Sequence, residues 1–265
     1  RLRAQHARAA SARVHPRVPA PCLQGGMGCR SLLLLGLANR LSMGFEPVGD
    51  DSFDYASAGY WDRRYEKQAG GVFEWYGLKW RILNATLRPH LQKRDHVLHL
   101  GTGNSPLPEE MHRDGYQHQV AVDISSTVIS QMRTKLGHLA PSLEFKVEDA
   151  LHTSFPDASF DAVLEKGTME AVGSDRNCAL MDEGCEMLVA EKSLALEAFR
   201  LLRPGGVFVS VADEFEPFIE LWSRGLDRVE RVEVSEKDGI PVPKHIFLCF
   251  KATKLINTNE RQHEL

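Results

Sequence analysis

The stretch Val97-Leu98-His99-Leu100-Gly101-Thr102-Gly103-Asn104-Ser105 reads as a short buried strand running into a glycine-containing turn. Glycines at 101 and 103 let the backbone turn tightly and approach a ligand, and the amides at the start of the next helix suit a carboxylate or a phosphate. Pro106 and Pro108 fit a first helical turn, and Glu109 and Glu110 suit the positive end of that helix. A dinucleotide fingerprint wants a third glycine where Pro106 stands, which disfavours NAD and FAD. Alone, the loop points only to a nucleotide-like ligand, because many strand-to-helix turns carry Gly-x-Gly for packing.

Apolar runs alternate with amphipathic ones on either side of it. Gln119–Asp123, Leu143–Val147, Phe160–Leu164 and Val207–Ala212 read as further strands, the last following the turn Arg203-Pro204-Gly205-Gly206. Leu107–Asp114, Ser126–Leu139 and Ala190–Leu202 read as helices between them. This alternation predicts a doubly wound α/β domain, with a mostly parallel sheet covered on both faces. Arg228–Val234 and His245–Ala252 are strand-like with no helix between them, which predicts an antiparallel hairpin at the end of the sheet and seven strands in all.

Ligands of such sheets lie at the carboxyl ends of the strands. Asp123 ends the second strand, 22 residues after Gly101, where an acid accepts hydrogen bonds from ribose hydroxyls. Glu148-Asp149-Ala150 follows the third strand, where an acid can take an adenine amino proton while apolar neighbours flank the ring. Glu165-Lys166-Gly167-Thr168 follows the fourth, and charge directly after a buried strand needs a reason. A turn or helix-cap role competes at each position taken singly. Their joint occurrence favours one site.

The 265 residues contain 43% hydrophobic and 26% charged residues, as an ordinary globular chain does. Net charge is −4, but residues 1–45 hold seven Arg and no acid. The remainder has 25 basic and 36 acidic residues, or about −11, which argues against nucleic acid as a partner and suits a basic protein. Five cysteines, Cys22, Cys29, Cys178, Cys185 and Cys249, without Cys-x-x-Cys, argue against a disulfide framework or a zinc site; no metal is expected. No apolar run approaches the ~20 residues of a membrane span. Residues 1–45 are expected to be a disordered or targeting extension, with Met43 a candidate start. Residues 46–255 are expected to form the domain, and 256–265 a tail. The expected compartment is the cytoplasm, or the mitochondrion if the Arg-rich segment is a presequence.

Tyr60-Trp61-Asp62-Arg63-Arg64-Tyr65, Leu100-Gly101-Thr102-Gly103-Asn104-Ser105, Val122-Asp123-Ile124-Ser125-Ser126 and Ser159–Thr168, which ends Glu165-Lys166-Gly167-Thr168, together resemble the seven-β-strand lysine methyltransferases. Within them the chain resembles the group methylating elongation factor 1-alpha (endothelin-converting-enzyme-associated and methyltransferase-like-13 types), and it is similar to the citrate synthase lysine methyltransferase. The resemblance covers roughly residues 55–253. It implies S-adenosyl-L-methionine as cofactor and a lysine side chain of a protein as substrate, with the chain acting as a monomer. It implies that Trp61, Tyr65 and Trp75 cover the cofactor. Gly101 would contact its methionine part, Asp123 and Ile124 the ribose, and Asp149 and Ala150 the adenine, with Gly103 and Asn104 of the loop and Lys166 also against the cofactor. His99 and Leu100 stand where many methyltransferases carry an acid before the glycine, so the cofactor's amino group is expected to use another acceptor such as Glu165.

Methyl transfer from a sulfonium is an in-line displacement, which needs alignment and exclusion of water. The lysine amine must be neutral. Desolvation is expected to lower its pKa, with Glu165 or Asp213 orienting it. Asp213, Glu214 and Glu216 add negative charge at the same edge, and Val172–Met187 is placed as a substrate lid. Two other readings stay open: a small-molecule methyltransferase on the same fold, and a non-catalytic nucleoside-binding module.

Overall fold

A computed structural model describes residues 55–68, 71–173, 187–212, 221, 224–234 and 244–253. All of these fall within one compact unit, Val48–Leu265. The extension, the terminal tail, Asp213, Glu214, Glu216, Cys22, Cys29, Cys178, Cys185 and most of the Val172–Met187 segment lie outside the described residues.

The elements are α1 (Ala58–Lys67), a 3₁₀ turn at Trp75–Gly77, α2 (Trp80–Leu87), β1 (Val97–Leu100), α3 (Leu107–Arg113) and β2 (Gln119–Asp123). They continue with α4 (Ser126–Leu136) and a 3₁₀ turn at Gly137–Leu139. Then come β3 (Leu143–Val147), β4 (Phe160–Lys166), α5 (Thr168–Val172), α6 (Met187–Leu201), β5 (Leu202–Ala212), β6 (Leu226–Val234) and β7 (Lys244–Lys251). The seven strands form one sheet in the order β3-β2-β1-β4-β5-β7-β6. β1 pairs in parallel with β2 and β4, β2 with β3, and β4 with β5. β7 runs antiparallel between β5 and β6. The terminal hairpin therefore forms as expected, with its second strand inside the sheet and its first at the edge.

Side chains alternate across the pleat, so each strand feeds two cores. Leu98, Leu100, Val122, Val163 and Phe208 pack with Leu194, Ala198 and Phe199 of α6. Ala121 and Phe145 pack on the other face with Val128, Ile129 and Met132 of α4, and with Tyr60, Trp61 and Tyr65 of α1. Each of the buried Val, Leu, Ile, Met and Phe side chains contributes roughly 1.5–3 kcal/mol by leaving water. Helix starts follow local chemistry where a cap is available: Ser57 accepts from the Tyr60 N–H at 3.1 Å and Ser125 from that of Val128 at 3.2 Å.

Most boundaries shift by a few residues from the sequence reading, and two of the differences bear on the site and the sheet. β4 continues through Glu165 and Lys166, which pair with Ser210 and Val211 of β5, so these charges belong to the strand and not to a turn after it. β5 begins at Leu202, and the Arg203–Gly206 segment is absorbed as a register shift between Phe160 and Ala162 of its partner. α2 had no counterpart in the sequence reading. Its first residue follows Lys79, which makes no side-chain cap bond. The Trp80 N–H is taken instead by Glu110 Oε2 at 2.9 Å, from 30 residues away. Strand order reverses between β1 and β4, which places the switch point beside Gly101.

Candidate active site

The glycine loop is held from three sides. The Thr102 N–H donates to the Val122 carbonyl at 2.8 Å, tying the loop to β2. Gly101 and Gly103 have φ of 64° and 52°, a region that L side chains avoid. A β-carbon at Gly101 would also collide with the Thr168 side chain, and one at Gly103 would lie 2.7 Å from the Tyr65 hydroxyl. Both positions require glycine on packing grounds as well as conformational ones. The Thr168 hydroxyl donates to the Leu100 carbonyl at 2.9 Å, fastening the Glu-Lys-Gly-Thr segment across from the loop.

Asp123, at the end of β2, is buried. Its Oδ2 accepts the Gly103 N–H at 2.8 Å and its Oδ1 the Ser125 N–H at 2.9 Å. Burial is the largest influence on its acidity and pushes its pKa up to about 6. Each oxygen keeps further acceptor capacity, so the carboxylate can take a vicinal diol. Asp149 accepts the Leu151 N–H at 2.9 Å from an exposed turn, and Ala150 beside it is buried.

An aromatic cover closes over these strand ends. Trp61 stacks on Tyr65 with ring centres 5.8 Å apart, and Trp75 meets Trp61 edge-on at 6.4 Å. Arg64 lies over the rings of Trp61 and Phe73 at 5.7 and 5.2 Å, a cation–π arrangement. Asp62 anchors α1 by accepting from the Ser125 hydroxyl at 2.6 Å and the Thr127 N–H at 3.0 Å. The segment 71–75 is strapped down in three places. Asn104 Oδ1 accepts the Phe73 N–H at 3.2 Å and its Nδ2 donates to the Gly71 carbonyl at 2.9 Å. Glu74 accepts from the Ser105 hydroxyl at 2.8 Å and pairs with Lys166, both being buried. The side chains of Asn104 and Lys166 therefore spend their polar groups on this strap. Sequence reading missed Glu74 and the anchoring part of Asp62.

Glu165 is 2% exposed. Its Oε2 accepts the N–H groups of Thr168 and Met169, both at 3.1 Å, and its Oε1 accepts from the Ser210 hydroxyl. Burial, ahead of these bonds, raises its pKa to about 7.

All twelve residues named for the cofactor line one cavity of about 470 Å³: Trp61, Tyr65, Trp75, Gly101, Gly103, Asn104, Asp123, Ile124, Asp149, Ala150, Glu165 and Lys166. The volume falls within the ~300–1,000 Å³ of small-molecule sites. No cluster of metal-ligating side chains occurs among the described residues, and no helix among them is long and apolar enough to cross a membrane.

Asp123 and Glu165 make a pH prediction. Both have folded-state pKa values above their ordinary 3.8 and 4.5. Folding favours their protonated forms, so the stability they contribute is complete below about pH 4 and is lost as pH rises through 6 and 7. The ligand-free protein is expected to melt a few degrees lower at pH 8 than at pH 5.5. Asp123→Asn should flatten that slope in thermal melts followed by circular dichroism. A midpoint that rises over this range would contradict the burial argument.

A profile described as a methyltransferase domain matches residues 91–237, more than half of the chain. The "eEF1A lysine and N-terminal methyltransferase" of Danio rerio is 33% identical over 207 residues, 75% of this chain and 28% of that protein. The "EEF1A lysine methyltransferase 4" of Mus musculus is 36% identical over 165 residues, 61% of this chain and 63% of that protein. The chain thus spans less than two thirds of the length of either relative. A solved structure titled "Conversion of a Disulfide Bond into a Thioacetal Group during Echinomycin Biosynthesis" superposes with a TM-score of 0.52 at 16% identity. It covers 78% of this chain and 98% of its own, which speaks to the fold alone. With the sheet order, the loop and the cavity in place, the profile match shows that this chain belongs to the methyltransferase-domain family.

Proposed function

We propose that this chain is an S-adenosyl-L-methionine-dependent methyltransferase acting on a lysine side chain of a protein, with elongation factor 1-alpha as the favoured substrate. One observation carries the reading. A single cavity joins the glycine loop, a buried diol-competent carboxylate at Asp123 and the Glu-Lys-Gly-Thr segment at the switch point of the sheet. The residues fit such a cofactor. Asp123 retains acceptor capacity for ribose hydroxyls, Asp149 and Ala150 suit an adenine edge and face, and the cover supplies apolar and aromatic walls. The names of the two relatives support the lysine and the elongation factor.

The cofactor supplies an activated methyl group on a sulfonium. The protein's part is to bind, align and dry. Trp61, Tyr65 and Trp75 exclude water, and the strap through Asn104, Ser105 and Lys166 holds that cover in place. Glu165 fixes the turn into α5 by taking two of its first amides. Asp213, the other candidate for orienting the amine, lies outside the described residues. An acidic body of about −11 over residues 46–265 suits a basic protein partner better than nucleic acid, and an elongation-factor substrate would fit a cytoplasmic enzyme.

The test is methyl-labelled cofactor in a lysate, with and without purified elongation factor 1-alpha. Label in a protein band near the size of that factor supports the reading. Label confined to the low-mass fraction would replace it with a small-molecule methyltransferase. Cofactor binding without any transfer would leave a binding module.

A further inference from the structure

His99 lies in β1, two residues before Gly101, and lines the cavity although it is only 3% exposed. Its Nε2 is 2.8 Å from Gln119 Oε1. The orientation of that amide is fixed elsewhere: Gln119 Nε2 donates to the carbonyls of Pro108 at 3.1 Å and Tyr116 at 2.9 Å. Its oxygen end must then face the imidazole, so the ring carries its proton on Nε2. Nδ1 is left as a bare acceptor with no hydrogen-bond partner among the described residues. Burial, with a smaller contribution from the Lys166 charge, brings the pKa of the ring down to about 4, so it stays neutral at physiological pH.

Glu165, the other buried acceptor beside the glycine loop, already takes three donors: two backbone amides and the Ser210 hydroxyl. A carboxylate has roughly four acceptor positions, so about one remains. An α-ammonium brings three N–H donors and needs more than that.

We propose that His99 Nδ1 accepts a hydrogen bond from the α-ammonium of the cofactor's methionine portion. This rests on the cofactor reading above. An acceptor-only nitrogen attracts a donor and repels a carboxylate, so His99 also sets which end of the amino acid faces β1. A neutral ring does this without the repulsion that an imidazolium would exert on the ammonium.

The experiment is calorimetric titration of three probes: S-adenosylhomocysteine, its analogue lacking the amino group, and 5′-methylthioadenosine, which lacks the amino acid altogether. The wild-type chain should prefer S-adenosylhomocysteine over the deaminated analogue by about ten- to a hundredfold, the worth of a hydrogen bond to a charged group. His99→Phe should bring that ratio close to one and leave 5′-methylthioadenosine unaffected. A ratio that persists in His99→Phe overturns the proposal. So does a parallel loss of 5′-methylthioadenosine affinity, which would mark His99 as structural only. If the wild-type chain binds none of the three, the cofactor reading itself fails. Nitrogen NMR of histidine-labelled wild-type protein needs no variant. Nδ1 should resonate as unprotonated and shift with S-adenosylhomocysteine but not with the deaminated analogue. A protonated or unmoved Nδ1 overturns the assignment.

Discussion

Asp123→Ala should weaken S-adenosyl-L-methionine binding by about a hundredfold or more in calorimetric titration. The carboxylate stands at the end of β2 with one oxygen on the Gly103 amide and the other on that of Ser125. The remaining acceptor positions would take two charge-assisted hydrogen bonds from a ribose diol. Each is worth roughly 1.5–3 kcal/mol, so losing both costs on the order of 10²–10⁴ in affinity. Alanine also releases the Gly103 amide and with it one restraint on the loop. Asp123→Asn separates the two effects. It keeps one oxygen acceptor and most of the volume, so the loss should be nearer tenfold. The same change removes a charge whose burial disfavours folding above pH 6, but it turns an NH2 on one of the two backbone amides, so Asp123→Asn should bind more weakly and show a smaller fall in melting midpoint between pH 5.5 and pH 8 than wild type. Unchanged affinity in Asp123→Ala would refute the ribose assignment.

Much of this was legible in the chain because the signals are local. Val97–Leu100 is short, apolar apart from His99 and followed by glycine, and Gln119–Asp123 is a second short run with an acid at its end; both strands form with those bounds. Where a cap or partner comes from far away, the sequence is silent. α2 starts at Trp80 because Glu110 takes its first amide, and nothing near Lys79 announces that. Asn104 reads as a loop residue facing a ligand, yet its amide reaches back more than 30 residues to Gly71 and Phe73. Glu165 and Lys166 read as one motif, but successive strand residues point to opposite faces. Glu165 turns to Ser210 and the start of α5, and Lys166 to Glu74, 92 residues earlier. The motif thus makes two separate sets of contacts, which the pleat divides between the two faces of the strand.

The Glu74–Lys166 pair is where the second large effect is expected. Its side chains are 9% and 7% exposed, and it joins the strap to β4 under the aromatic cover. Burial is the main influence on Glu74 and raises its pKa despite the lysine beside it. Removing one partner strands the other in a dry site, which typically costs about 3–5 kcal/mol. Lys166→Met should therefore lower the thermal midpoint by about 10 °C for a domain of this size. It should also weaken cofactor binding, because Glu74 would leave for water and take Phe73 and Trp75 with it. Glu74→Leu alone strands the lysine and should cost about as much. Combining Glu74→Leu with Lys166→Met removes both charges and fills the site with apolar groups, so stability should return to near that of wild type. A double-mutant cycle on melting midpoints reads this directly as strong non-additivity. Single variants that melt and bind as wild type would mean the strap is held by Asn104 alone, and simple additivity would mean the two charges do not act as a pair.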